Sequence, residues 1–451
     1  MKPNLTVQSY FFEEARDKIS NRTAKLGIIG LGYVGLPTLL QFSKAGFDVK
    51  GIERDRTKLD KLRSNSSYLE DVTDEQLAVA PHFYVTNDYS VVSQLDILII
   101  CVPTPLDGLG FPDTSLIKQA IELVDPYVRE GVLIILESSS YPGTTKELIA
   151  DYFSAQGYVV GLDIFVAYSP ERIDPGNSVF SLQEIPKLIG GISPHCCELS
   201  NFLYSSAGYQ TVLTSKLEVA ELSKLIENSF RAVNIALINE IALVANKTGI
   251  DIMETIQAAA TKPFGYLPFY PGPGVGGHCI PVDPQYLLWW AEKNECQLST
   301  LTTSMQSNNA FFLNIIEVLK QIAHIQNKNL QNLDLLIIGV GYKKNMSDFR
   351  ESPTLRLMNE LYRLQIQFSY HDPYQENINQ AMFSLRSVPL VELEIIHRDV
   401  VILMTDHDCI NYDELLHHAS LIIDSRYRFQ KGKKIIYLGE SLAKTGSVAN
   451  G

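Results

Sequence analysis

The sequence has no uncharged apolar run approaching the ~20 residues that a bilayer-crossing helix requires, so no membrane span is expected. It has no basic surplus either: 38 lysines and arginines stand against 51 aspartates and glutamates, a formal net charge of −13. That balance gives nucleic acid no electrostatic footprint, and local cations must meet any anionic ligand against a repulsive background. The six cysteines (101, 196, 197, 279, 296, 409) include no CxxC pair and no disulfide-scaffold spacing, the usage of a reduced, cytoplasmic protein. The vicinal pair Cys196–Cys197 is read as incidental. No cluster has metal-ligand spacing, so no metal is expected. Charges run through the N-terminal stretch (Glu13, Glu14, Arg16, Asp17, Lys18), which lacks an apolar core of signal-peptide length.

What is there is ample core material. The chain has 451 residues, 45% hydrophobic and 20% charged, a length that suggests about three domains. A polar helix over 8–23 opens it, within a short extension (1–24). The run Lys25–Gly30 reads as a buried strand, then Gly30-Leu-Gly32-Tyr33-Val34-Gly35, then a helix from Leu36 to Lys44. This is a dinucleotide fingerprint in its required context. The first glycine permits the turn, the second lets backbone approach a pyrophosphate, and the third lets helix and strand pack, with phosphate at the helix N-terminus. A second strand, Phe47–Ile52, ends on Glu53. An acid there accepts from the adenosine ribose diol and repels a 2′-phosphate, favouring NAD over NADP. Arg54 and Arg56 close by temper that choice; Arg54 and Lys58 join the expected cofactor contacts.

Alternation continues through 214. The strand Leu95–Val102 ends in Pro103-Thr104-Pro105. The strand Gly131–Leu136 ends in Glu137-Ser-Ser139-Ser-Tyr-Pro-Gly-Thr-Thr145, whose hydroxyls can orient a cofactor or a water. Asp163–Ala167 leads to Tyr168-Ser-Pro-Glu171-Arg172, and Lys187–Gly191 reads as the last strand. From 215 to about 260 the pattern is helical, with Lys224 and Asn228 on one face at i, i+4 and Arg231 continuing it. That face is either a solvated stripe or part of a cleft. Helices at 284–293 and about 302–326 follow, the latter with Asn308, Asn309 and Asn314 and placed to join domains or subunits. A second α/β unit begins at Asn332–Gly339, with strands at 368–373, 399–404 and 420–424 and a helix at 354–364. The tail from Thr445 is expected to fray.

Between the helices lies Pro271-Gly-Pro-Gly-Val-Gly276-Gly277-His278-Cys279-Ile-Pro-Val-Asp283. Four glycines and three prolines in thirteen residues exclude a helix and suit a tight loop to which a ligand can come close. Phe264, Tyr266, Phe269 and Tyr270 lead into it. Alone, Cys279 reads as a small buried residue more readily than as a nucleophile.

Gly30–Gly35, Val102–Pro105, Glu137–Thr145, Ser169–Arg172, Glu221–Asn228, Gly274–Asp283, Gly341–Pro353 and Asp424–Arg426, in that order, resemble the nucleotide-sugar 6-dehydrogenases of the UDP-glucose/GDP-mannose dehydrogenase family. The resemblance covers nearly the whole chain. It implies an α/β protein in which two Rossmann-like domains are joined by a helical central domain with a long connecting helix. The expected divisions are 25–214 for NAD, 215–328 for the centre with its loop 262–283, and 329–451 for the UDP-sugar. Cys-Ile-Pro-Val-Asp-Pro after His278 is similar to the branch acting on UDP-N-acetylhexosamines, with UDP-N-acetylglucosamine first among them. Val282, where UDP-glucose enzymes carry lysine, argues against UDP-glucose. Glu53 replaces the family's usual Asp, and Ser139 its usual Thr.

The implied reaction is a four-electron oxidation of C6 with two NAD⁺ and no metal. Cys279 forms a thiohemiacetal and then a thioester, which water hydrolyses. Lys224 and Asn228 stabilise oxyanions; Asp283 or Glu171 serves as base or binding group, and Ser139 holds water. Asp283 as a helix cap and Glu171–Arg172 as a local ion pair stay open. Lys343 and Arg426 are expected on the diphosphate, Arg350 on the cofactor or bracing its own domain, and Tyr266 or Tyr270 against uracil. Arg172, Arg231, His278 and the Gly276–Gly277 backbone are placed on the sugar. A homodimer through the central domain and a role in capsule or O-antigen precursor synthesis are also implied. UDP-N-acetylmannosamine, UDP-glucose and a catalytically silent sugar-nucleotide binder are the alternatives.

Overall fold

A computed structural model describes residues 7–81, 83–172, 184–440 and 442. The expected frayed tail from Thr445 lies outside them. The chain divides into two compact units, 1–227 with 285–296, and 228–284 with 297–451.

The first unit opens with α1 (Val7–Ser20), β1 (Lys25–Ile29), α2 (Gly35–Lys44), β2 (Asp48–Ile52), α3 (Arg56–Arg63), α4 (Asp74–Val79), β3 (Phe83–Thr86) and β4 (Ile97–Ile100). It continues with α5 (Ser115–Val124), β5 (Leu133–Leu136), α6 (Asp151–Ala155), β6 (Phe165–Tyr168), β7 (Lys187–Gly191), α7 (Pro194–Ser206) and β8 (Thr211–Leu213). The sheet order is β3-β2-β1-β4-β5-β6-β7-β8, parallel except where β7 runs against β6. Side chains alternate between two cores, as the strand period of two requires. Ile97 and Ile99 pack on one face with Leu26, Ile28 and Phe42, while Leu98 and Ile100 pack on the other with Ile29, Ile117 and Phe153. Strand order reverses between β1 and β4, the switch point where open α/β sheets bind ligands.

The central helices are α8 (Leu217–Thr248), α9 (Ile252–Ala260), α10 (Asp283–Lys293), α11 (Ser299–Ala310) and α12 (Leu313–Ile325). Two helices expected to be continuous are broken. Gly249 takes φ +78°, and Asp251 starts α9 by accepting from the backbone N–H groups of Met253 and Glu254. Between α11 and α12 the N–H groups of Asn314 and Ile315 bond back only three residues, and the Asn314 amide donates to the Phe311 carbonyl, a local competitor of the helical ladder.

The second sheet follows: β9 (Asp334–Ile338), α13 (Pro353–Arg363), β10 (Gln367–His371), β11 (Asn377–Asn379), β12 (Ser384–Arg386), α14 (Glu392–Ile396), β13 (Val400–Leu403), α15 (Tyr412–His418), β14 (Ile422–Asp424) and β15 (Ile435–Ile436). Its order is β10-β9-β13-β14-β15, with β11–β12 a separate hairpin. The strands at 83–86, 211–213, 377–379, 384–386 and 435–436 escape the sequence reading because so few residues carry no visible period.

One backbone scheme recurs in both sheets. Gly30 and Gly339 follow their first strands at φ +88° and +84° and donate to the last carbonyls of the second strands, Ile52 and His371. The next residue donates to an acid just after that second strand: Leu31 to Glu53 at 3.0 Å, Val340 to Asp372 at 2.6 Å. The two acids then differ. Asp372 also accepts from Gly341, Tyr374, Gln375 and the buried His407 ring. Asn345 donates its backbone N–H to His407 Nδ1, so that ring carries its proton on Nε2, toward Asp372.

Candidate active site

Three glycines of the first loop divide by what their missing side chains would meet. A Cβ on Gly30 would lie 2.9 Å from the Cys101 carbonyl, and one on Gly35 2.0 Å from the Gly30 carbonyl. These two are required by the fold itself. A Cβ on Gly32 would meet nothing within 4 Å, so that glycine leaves room for something other than protein. The α2 N-terminus beside it has no side-chain cap, leaving N–H groups for a phosphate. Buried Glu53 holds Leu31 and Asp55 through their N–H groups, with Lys58 at 3.9 Å; each carboxylate oxygen keeps a second lone pair for a ribose diol. These residues fit NAD. Arg54 is exposed, and Tyr33 and Val34 are half-buried.

Loops at the carboxyl ends of β4, β5 and β6 complete this crevice. Thr104 is half-buried, its carbonyl accepting from the Tyr286 hydroxyl at 3.1 Å. The loop after β5 is pinned by Glu221 of α8, which accepts from the N–H groups of Gly143 and Thr145 and from the Thr145 hydroxyl. Burial pushes the Glu221 carboxyl up, against those hydrogen bonds. Ser139 is half-buried, whereas the hydroxyls of Ser140 and Ser169 are buried without a partner. An unpaired buried hydroxyl is what a water or ligand would satisfy. Of the three, Ser139 alone was singled out from the sequence, and only burial separates them.

Glu171 does not pair with the side chain of Arg172. Arg172 binds Glu227 at 2.7 Å and the Pro186 carbonyl, while Glu171 pairs with Lys187 at 3.0 Å. Lys187, absent from the expected site, also binds Glu137 at 2.9 Å. Lys224 is 6% exposed, and no described residue pairs with its ammonium. The solvated-stripe reading of that face fails for Lys224 and for the fully buried Asn228 one turn on.

In the second unit, Asn228 accepts from Arg231 and donates to Asp283. Arg231 is a donor only, so it turns the Asn228 oxygen toward itself and the amide nitrogen toward the carboxylate. Asp283 is 1% exposed, opens α10, and donates its N–H to the Cys279 carbonyl at 2.8 Å. The half-buried Cys279 thus sits one turn before the helix.

The glycines of this loop have a different task from the one expected. A Cβ on Gly276 would lie 2.5 Å from Tyr342 Cβ, and one on Gly277, at φ +82°, would lie 2.8 Å from the Tyr342 ring. Gly277 donates to the Arg350 carbonyl at 2.9 Å. The space these glycines free is taken by protein, not left for a sugar nucleotide. Arg350 chelates Asp348 and donates to His278 Nδ1 at 3.2 Å, so it braces the loop. Arg426, after β14, donates to the Met404 carbonyl at 2.6 Å and lies under Gly272; burial pulls its guanidinium down against Asp406 and Asp424. Lys343, after β9, is half-buried. Both cations stand at the carboxyl edge of the second sheet. Tyr266 and Tyr270 are exposed, at 38% and 52%, and are not brought against Lys343 or Arg426 by any described contact.

No described residues cluster as metal ligands, and no described helix is long and apolar enough to cross a membrane.

Models of one family match the chain in order: the UDP-glucose/GDP-mannose dehydrogenase NAD binding domain at 24–207, central domain at 218–310 and UDP binding domain at 336–431. The UDP-N-acetyl-D-glucosamine 6-dehydrogenase of Salmonella typhi is 31% identical over 387 residues, 85% of this chain and 90% of that protein. The UDP-N-acetyl-D-mannosamine dehydrogenase of Methanococcus vannielii is 29% identical over 391 residues, 85% and 86% of the two chains. The structure of a UDP-D-ManNAc dehydrogenase from Pyrococcus horikoshii matches at a TM-score of 0.84 and 29% identity, covering 92% of this chain and 99% of that one.

Proposed function

The chain belongs to the UDP-glucose/GDP-mannose dehydrogenase family and is an NAD-dependent nucleotide-sugar dehydrogenase; we propose that it oxidises C6 of a UDP-N-acetylhexosamine to the carboxylate, with UDP-N-acetylglucosamine preferred. The observation that carries this reading is a half-buried thiol, Cys279, fixed one turn ahead of a helix whose first residue, Asp283, is held by Asn228. Oxidising an alcohol to an acid needs a hydrated or covalent adduct of the aldehyde between the two oxidations. Cys279 provides it by adding to the C6 aldehyde as a thiohemiacetal; the second oxidation turns this into a thioester, and its hydrolysis by water releases the acid and returns the thiol. Bound NAD⁺ supplies the hydride acceptor for both oxidations, one molecule for each.

Lys224, buried and uncompensated among the described residues, stabilises the alkoxide and oxyanion stages as a preorganised cation. Asn228 keeps one amide hydrogen beyond the one given to Asp283, and this serves the same oxyanion. Ser140, Ser139 and Glu171 are assigned to the hydrolytic water. Gly30, Gly32, Gly35 and Glu53 hold the cofactor. Lys343 and Arg426 take the diphosphate, and His278 recognises the acetamido group.

UDP-N-acetylmannosamine is the second reading, favoured by the names of the Methanococcus and Pyrococcus proteins. A panel of UDP-sugars ranked by kcat/KM, run with NAD⁺ and with NADP⁺, decides between them. UDP-N-acetylglucosamine with NAD⁺ is expected to lead, and UDP-N-acetylmannosamine in first place would replace it.

We also propose a homodimer through α8. Val219, Ile226, Phe230, Leu237, Ile241 and Val244 are all exposed. At about 100° per residue they fall within about 40° of one line, a stripe about 38 Å long. A helix that leaves such a stripe bare in the single chain is one that a second copy would cover.

A further inference from the structure

Lys187 is 4% exposed, yet it is among the most heavily contacted cations of the first unit. Its ammonium lies 2.9 Å from Glu137 and 3.0 Å from Glu171, and 5.1 and 5.7 Å from the ring centroids of Tyr204 and Tyr209. Sheet topology explains how it gets there. In a parallel strand the first residue lies at the amino edge of the sheet, away from the ligand crevice. But β7 runs antiparallel to β6, pairing Tyr168 with Gly190 and Ala167 with Gly191. Continuing that register by three residues brings Lys187 opposite Glu171, at the carboxyl edge. The reversed strand therefore delivers a lysine to the side where the loops after β4, β5 and β6 gather.

Among the described residues, the groups facing this lysine come from three elements and the loops between them. From β5 comes Glu137, which accepts from the Tyr204 hydroxyl of α7 and lies 3.5 Å from Thr38 of α2 and 3.7 Å from the Cys101 thiol. From the segment after β6 comes Glu171, whose other oxygen accepts the Arg172 N–H at 2.7 Å. Tyr209 lies before β8, and Arg172 is occupied by Glu227. One ammonium cannot neutralise two buried carboxylates. Burial pushes Glu137 up, and Lys187 and the Tyr204 hydroxyl oppose that rise; the lysine's charge is shared between Glu137 at 2.9 Å and Glu171 at 3.0 Å. The lysine itself is penalised by burial but raised by both glutamates.

We propose that Lys187 is a positioning residue for the reaction: it keeps Glu171 ionised and fixed, so that Glu171 works as a hydrogen-bond acceptor for the hydrolytic water or a sugar hydroxyl and not as a proton donor. This rests on the assignment above of Glu171 to the hydrolytic water. A purely structural lysine would serve the fold equally with Glu171 in either protonation state, and there the two roles separate.

The test uses the full chain, with Lys187→Met to remove the charge at similar length and Lys187→Arg to restore it. Removing a cation about 3 Å away typically raises a carboxyl pKa by about 1–3 units, so the acidic limb of the kcat–pH profile of Lys187→Met should move up by that amount. Lys187→Arg should bring it back toward wild type. Because Lys187→Met leaves Glu137 unpaired and can unfold the protein, Glu137→Gln/Lys187→Met is measured beside it. That pair should regain thermal stability while its acidic limb stays raised. Infrared titration of the wild type and of Lys187→Met, each against its Glu171→Gln counterpart, follows the Glu171 carboxyl without requiring turnover. Protonation at higher pH in the lysine variant is expected. An unmoved Glu171 titration overturns the inference even if the enzyme proves inactive on every UDP-sugar. Unmoved limbs in an active enzyme do the same and leave the proposed reaction standing.

Discussion

At the residue scale, Cys279 and Lys187 mark the limits of what the chain discloses. The cysteine was legible because its context is extreme: four glycines and three prolines around one thiol. Lys187 was not, since a lysine at the start of a five-residue strand reads as surface, and its partners lie 16 and 50 positions away, at Glu171 and Glu137. The ion pair of Arg172 was out of reach for a related reason, since its partner Glu227 is 55 positions on. Replacing Cys279 by Ser removes the thiol and is expected to leave the oxidation of alcohol to aldehyde. Acid formation should fall below detection while aldehyde remains trappable by a hydrazine probe, and acid formed at the wild-type rate would exclude the covalent route.

Among the elements, the two glycine loops make opposite predictions from the same substitution. Alanine at Gly32 meets open space, so Gly32→Ala should leave the melting temperature near wild type and raise KM for NAD⁺ about tenfold or more, the loss of roughly 1.4 kcal/mol of binding. Alanine at Gly276 would sit 2.5 Å from Tyr342 Cβ. Overpacking of this kind costs about 1–3 kcal/mol, so Gly276→Ala should lower the melting temperature, with Gly32→Ala as the control in the same calorimeter. This distinction between a glycine kept for a ligand and one kept for a neighbour could not be read from the sequence, because the neighbour, Tyr342, lies 66 positions away. Elements fared unevenly for physical reasons. The fully buried strands at 97–100, 133–136 and 400–403 were plain from their apolar runs. The breaks at Gly249 and at Phe311–Phe312 were not, since apolar periodicity carries across both.

For the whole molecule, two properties follow. The α8 stripe predicts that Leu237→Glu with Val244→Glu converts a dimer to a monomer in sedimentation equilibrium without loss of helical circular dichroism. A wild-type chain that is already monomeric contradicts that reading. The second property concerns acid stability. Burial alone would raise the Asp372 carboxyl, but His407 and four backbone N–H groups hold it below the ordinary range. A carboxyl depressed by folding stabilises above its unfolded value, about 3.9, and that contribution is lost as pH falls through the folded value. Asp372→Asn should therefore lower the melting temperature at pH 7 and flatten its decline below about pH 4, as followed by calorimetry across pH. The four-electron oxidation is read by counting NADH. With limiting UDP-N-acetylglucosamine and excess NAD⁺, run to completion, two NADH are expected for each sugar consumed, with a uronic acid as product; one NADH with aldehyde as the end product would rule out the four-electron reaction.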